Sequence, residues 1–223
     1  MGTLNRILVE TGRKKSFATA LDWPGWSRSG PSEESAISAL VAYADRYRKV
    51  ADRARTPGID DLIGSPQVTA RVTGSGATDF GVPDKIVGPD EDIMSPEECD
   101  RQLAILQACW EEFDDVAESV SEELQKGPRG GGRDRAAIVE HTLEADRGYA
   151  RRIGVNTPKG YGASPEGRRR HRDEVVQVVR AANLANTETR WPLRYFIRRA
   201  AWHLLDHAWE MEDKDLSGQN MVG

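Results

Sequence analysis

Long apolar runs are missing from this chain of 223 residues. No stretch approaches the ~18 consecutive apolar residues of a membrane-spanning helix, and the start is not basic-plus-apolar, so neither a span nor a signal peptide is expected. Cysteine is scarce, with only Cys99 and Cys109. On one predicted helix that separation is roughly 15 Å of rise, too far for a disulfide. A reduced cytoplasmic protein is the expectation. A basic excess is missing as well: the net charge is −5, which argues against a nucleic-acid partner. The charge is uneven, with 12 Lys+Arg against 10 Asp+Glu in residues 1–85 and 19 against 26 in residues 86–223. Histidine numbers only four, and the placement of three of them organises everything below.

What is present reads as two modules, within a length that suits one large domain or two small ones. The first covers residues 4–83. Arg6 to Glu10 is strand-like, Thr11 to Lys15 turns, and Ser16 to Leu21 returns antiparallel. Asp22-Trp23-Pro24-Gly25-Trp26 breaks that strand. A helix opens near Ser32, with Ile37, Leu40, Val41, Ala44 and Tyr47 as its buried face. Val68, Ala70 and Val72 then alternate as a half-buried strand. The order ββαβ makes a small α+β unit.

Between Phe17 and Ala51 this module resembles the HicB-like domain. The residues that carry the likeness are Leu21-Asp22-Trp23-Pro24-Gly25-Trp26 and Gly30-Pro31-Ser32-Glu33-Glu34-Ser35-Ala36, with Ser35 where that pattern has a second Glu. HicB antitoxins carry a DNA-binding segment beside this domain. No basic helix-turn-helix or ribbon follows here, so the resemblance implies a module that docks a protein partner or serves as a structural appendage.

Residues 84–94 read as a linker. Ser95-Pro96-Glu97-Glu98 is a strong helix start, with a cap, a proline at the first position and acids at the positive end of the dipole. Leu103, Leu106, Trp110, Phe113, Ala117, Val120 and Leu124 continue at helical spacing, predicting about eight turns. A second helix is expected over 134–153, with Ile138, His141, Ala145 and Gly148 inward. Ser164-Pro165-Glu166 starts a third, with Val175, Val176, Val179 and Ala182 inward, and a fourth covers 193–213. Four long helices predict a four-helix bundle over 95–215.

His203 and His207 stand four residues apart, so both rings leave one helix face about 6 Å apart along the axis and can share a cation. His141 lies on the apolar side of the second predicted helix. A lone helix-face histidine is more often a hydrogen-bonded core residue; three on two matching helices favour metal. At these residues, in Ile138 to Asp146 and Ala201 to Glu210, the second module resembles the DinB superfamily of metal-binding four-helix bundles. The resemblance implies His141, His203 and His207 as ligands of one divalent ion. It also implies a link to thiol chemistry, since some relatives are transferases or isomerases that use a low-molecular-weight thiol.

Three neutral imidazoles leave the ion its full charge and open positions, suited to activating water or polarising an oxygen. Nitrogen donors favour zinc or nickel, with ferrous iron as a further option. Glu144, Asp206 and Glu210 are candidates to orient imidazole N–H groups or act as general base, against the plainer reading of solvated or ion-paired carboxylates. Trp202 and Trp209 read as packing or a seam between modules, and His171, among Arg168 to Arg172, as a solvated surface residue. The glycine-rich loop from Gly127 to Asp134, with Arg129, Arg133 and Arg135, is either an anion cradle at a helix N-terminus or a plain connection; no Gly-Lys-Ser/Thr follows it.

The expected protein is therefore a cytoplasmic metal-dependent transferase or hydrolase acting on a small molecule. The alternative is a non-enzymatic binding or regulatory protein whose first module docks a partner. A homodimer is compatible with either reading, and neither calls for a membrane or nucleic acid.

Overall fold

The computed structural model describes residues 4–128 and 130–218. An N-terminal four-stranded mixed sheet is followed by a mostly helical region, an α+β protein. Strands β1 (Arg6–Thr11), β2 (Ser16–Ala20) and β3 (Ser27–Gly30) run antiparallel in turn, and β4 (Gln67–Thr73) adds parallel to β1, giving the order β3-β2-β1-β4. β3 is an addition to the expected ββαβ order. Its Ser-Arg-Ser-Gly carries no apolar alternation, and it pairs because Gly25, at φ +93°, turns the chain back onto β2.

The expected single helix after Ser32 is two: α1 (Glu33–Ala42), capped by the Ser32 hydroxyl, and α2 (Ala44–Arg53), with the break at Tyr43. A short α3 (Ile59–Gly64) leads into β4. One face of the sheet buries Ile7, Val9, Ala18 and Ala20 against Leu40, Tyr47 and Val50. Leu8 and Leu21 lie on the other, under Val87.

That second face is covered by the segment expected as a linker. After α4 (Gly76–Phe80), Glu10 accepts hydrogen bonds from the Thr78 hydroxyl and from the Asp84 and Lys85 amides, and α5 (Gly88–Glu91) follows. Asp90 is buried and pairs with Arg198 at 2.7 Å. Residues 84–94 are thus a packed strap, because their buried polar groups have partners on both the sheet unit and the last helix.

Four long helices follow: α6 (Pro96–Ser119), α7 (Arg135–Ala150), α8 (Pro165–Ala185) and α9 (Leu193–Asp213). α6 packs along α9 and also meets α8, while α7 lies on α9. α6 stops short of the expected eight turns. At Val120 the chain turns extended, Ser121 N–H donates to Asp215, and Leu124 pairs with Asp215 in a β-bridge. The buried stripe of α7 is Ile138, Thr142, Asp146 and Ala150 rather than the expected Ile138, His141, Ala145 and Gly148. Polar Thr142 and Asp146 go inside because each finds a partner there, the Ile138 carbonyl one turn back and the Trp110 indole N–H of α6.

The core is continuous. Trp23 and Trp26 of the sheet unit belong to the same buried cluster as Leu103, Trp110, Ala201, Leu205 and Trp209 of the helices. Cys99 and Cys109 are both buried free thiols. No helix among the described residues is long and apolar enough to cross a membrane.

Candidate metal centre

Helix α9 is capped by no side chain and is held by burial instead, with 14 of its residues inside. Its period places Arg199, His203 and His207 on successive turns of one face. α7 crosses that face and brings His141 against the pair. Ring centroids stand 5.1 Å apart for His141–His203, 5.1 Å for His141–His207 and 4.6 Å for His203–His207. One ring nitrogen from each lies within 4.8 Å of the others. Nitrogens bound to one tetrahedral zinc lie about 3.4 Å apart, so small side-chain rotations bring the set to coordination distance. The four-residue spacing anticipated the His203–His207 pair of this cluster.

The rings differ in environment. His203 is buried, and desolvation, with the neighbouring His207 and Arg199 charges, drives its pKa down to about 2. His141 is half-buried and its pKa is lowered by desolvation first, then by Arg133 and His207. Both are therefore neutral donors at ordinary pH, the state a metal requires. His207 Nδ1 sits 2.8 Å from Glu210 Oε2, which leaves Nε2 as the ring nitrogen for an ion. Glu210 is fixed from its other side by Lys214 at 2.6 Å. These contacts hold the Glu210 pKa down to about 2, the hydrogen bond to His207 contributing most. A carboxylate behind a histidine is the usual device for orienting a metal-binding imidazole.

The other candidate carboxylates behave differently. Asp206 pairs with Arg28 at 3.2 Å, and burial raises its pKa against the pull of that guanidinium. Glu144 pairs with Arg147 at 2.8 Å and makes no contact with the three rings. Only Glu210 touches a ligand candidate.

Of the glycine-rich loop's arginines, one is engaged within the protein and one faces outward. Arg135 is tied to Glu122 at 2.6 Å and to the Val120 carbonyl. Asp134, at the start of α7, accepts from Lys126 and from the Leu124 amide. Arg133 is exposed, and Arg129 lies outside the described residues. The Asp134 carboxylate accepts nothing from the first amides of α7 and ties the loop back to the residues before it.

His171 corrects the surface reading. It is fully buried, with Nδ1 2.6 Å from the Thr157 hydroxyl and Nε2 3.3 Å from Asp146. The arginines around it in sequence occupy other faces of α8, with Arg172 on Asp114 at 2.6 Å. Its three-to-four spacing to Val175 was the signal for burial, masked by the charges beside it.

Trp202 and Trp209 do lie on the seam between the sheet unit and the helices. Trp202 packs edge-on to Phe17 at 6.4 Å, and Trp209 meets Tyr43 at 5.1 Å. Tyr149, which nothing in the sequence singled out, stands 5.7 Å from His203 between ring centroids.

No family model, curated protein or solved structure matches this chain. The functional reading therefore stands on the site itself. A cavity of about 570 Å³ lies elsewhere, between the strap and the α8–α9 loop, lined by Asp90, Met94, Asn183 and Leu193 among others, and none of the three histidines reaches it.

Proposed function

We propose that this is a divalent-metal-binding protein in which His141, His203 and His207 hold one zinc or nickel ion, with ferrous iron as the further option. The observation that carries the reading is the convergence of three ring nitrogens within 4.8 Å, two of them on imidazoles kept neutral by burial. We read residues 95–215 as a DinB-like four-helix bundle, residues 4–83 as a HicB-like domain, and the protein as cytoplasmic.

The activity that fits is a metal-dependent transferase, thiol-dependent, or a hydrolase, acting on a small molecule. A bound divalent ion with open positions supplies Lewis acidity, lowering the pKa of a bound water or thiol. The chain's own residues do the rest. Glu210 orients His207, Lys214 steadies Glu210, and the burial of His203 excludes the solvent that would protonate it.

Elemental analysis of the purified protein tests this directly. One equivalent of zinc or nickel is expected, falling below a tenth of that in His203→Gln and His207→Gln. A cobalt-substituted form should change its visible spectrum on adding a low-molecular-weight thiol. Metal bound equally by wild type and both variants would refute the site.

A second reading is favoured by Phe80, at the end of α4, and Ile86, on the strap that covers the sheet, both exposed. In it the N-terminal module docks a protein partner and the bundle is scaffold. A cobalt spectrum indifferent to every thiol tried would support it.

A further inference from the structure

Two consecutive arginines on α9 have opposite fates. Arg198 is buried and fully engaged, donating to both Asp90 oxygens at 2.8 and 2.7 Å and to the Lys85 carbonyl. Arg199 is 9% exposed, has no carboxylate at ion-pair distance among the described residues, and its Nη1 is buried without a hydrogen-bond partner. Three residues on, the Trp202 indole N–H is also buried without an acceptor. The two side chains are neighbours: the Arg199 guanidinium carbon lies over the Trp202 ring, 4.6 Å from its centroid, and 5.2 Å from that of Tyr149.

Those aromatic faces attract the charge and hold the guanidinium in place. The Tyr149 hydroxyl also lies within reach of the guanidinium, yet Nη1 is left without an acceptor. An enclosed cation without a counter-ion is costly, as is an enclosed N–H without an acceptor. The position of the pair is equally specific. Arg199 precedes His203 by four residues and His207 by eight, so it shares their helix face about 6 Å below the first ring. Tyr149 and Trp202 both border His203, at 5.7 and 5.9 Å between centroids.

We propose that Arg199 and Trp202 bind a carboxylate group of a small-molecule ligand, one helical turn from the histidine cluster. This deepens the metal-centre reading and rests on it for what the ligand's other end meets. The guanidinium fork presents its unpartnered Nη1 to a carboxylate, and the indole Nε1 adds a second free donor. One guanidinium charge matches the single charge of one carboxylate group, whereas both charges of a phosphate dianion would fall on the same fork. The ligand class is thus a carboxylic acid, substrate or thiol, whose reactive group lies within a few bonds of its carboxylate.

Calorimetric titration of the whole protein with succinate, and with its uncharged diamide, tests this in both metal-depleted and zinc-loaded forms. One succinate per chain is expected, with the diamide at least tenfold weaker. Arg199→Gln should weaken succinate at least tenfold in both forms while zinc content stays at the wild-type level. Trp202→Phe, which keeps the ring and loses the N–H, should weaken it about threefold. If Arg199→Gln proves misfolded by circular dichroism, Arg199→Lys decides, since a point charge without the fork should still lose several-fold.

Succinate binding that requires zinc and ignores Arg199 would mean a carboxylate sitting on the ion alone, which overturns the proposal and leaves the metal site standing. No saturable succinate binding in either form overturns it too. Arg199-dependent binding by a protein that takes up no metal would keep the carboxylate site and remove the metal one.

Discussion

His203 is the residue on which pH acts most directly. Folded, its pKa lies near 2 because burial denies the imidazolium its water; unfolded, it returns to about 6.5. Between those values the unfolded chain binds a proton that the folded chain does not, so acid favours unfolding. The contribution is fully present above about pH 6.5 and is lost as pH falls below it. Each pH unit is worth about 1.4 kcal/mol, so metal-free protein should lose about 2 kcal/mol between pH 6.5 and 5. His141, also lowered, adds to the same slope. Glu210 has the same sign but acts further into acid, as pH drops from the ordinary carboxylate range toward about 2. Denaturant unfolding of chelator-treated protein at half-unit pH steps measures this. His203→Gln should flatten the slope by the His203 share; an unchanged slope would mean that the ring is solvated. Excess zinc should restore stability most strongly where the histidines are neutral, since protons and metal compete for the same nitrogens.

At the scale of elements, the strap over residues 84–94 is the part that most changes the picture. Its Gly88, Pro89 and clustered acids have the composition of a connection, yet Asp90 and Arg198 form a buried, two-pronged pair between α5 and α9. Removing one partner strands the other charge in the interior, at about 3–5 kcal/mol. Asp90→Ala should therefore lower the unfolding free energy by about that amount, while Asp100→Ala, whose pairing with Arg180 is exposed, should change it by less than about 1 kcal/mol. Equal effects would show that the strap is not anchored. The boundaries of α9 and the start of α8 were legible because they rest on local rules: Ser164 caps with Pro165 next, and apolar residues recur at 3.6 spacing. The strap was illegible because its fixing partner lies 108 residues away, and composition carries no sign of that. The same holds for Asp146, whose place inside α7's stripe depends on Trp110, 36 residues away. For the site, the His203–His207 pair was legible from spacing, whereas His141 came from the family resemblance and from an inner stripe that α7 does not have. The unpaired state of Arg199 was not, because an unmet partner can be seen only once every neighbour is in place.

Over the whole molecule, the two modules that the sequence separates share one interior, and the seam runs behind the histidines. Gly25 marks it. At φ +93° it sits where side chains are strained, and a Cβ there would come within 2.9 Å of Leu205 Cδ1 and 3.1 Å of the Ala201 carbonyl carbon. Ala201 and Leu205 flank His203 on α9, so strain at the seam is passed to the ligand face. Further ties cross nearby: Arg28 to Asp206 at 3.2 Å, Arg53 to Asp115 at 2.7 Å and Lys49 to Glu212 at 3.6 Å. These surface pairs contribute little singly; the shared apolar core joins the parts. Gly25→Ala should therefore cost about 2–4 kcal/mol and weaken zinc binding in the same variant, with unfolding still a single transition by tryptophan fluorescence and by circular dichroism. Gly64→Ala, where a Cβ meets nothing within 4 Å, should leave both quantities unchanged. If Gly25→Ala destabilised only the sheet and left zinc affinity intact, the sheet unit would be an attached module rather than the wall against which α9 holds its histidines.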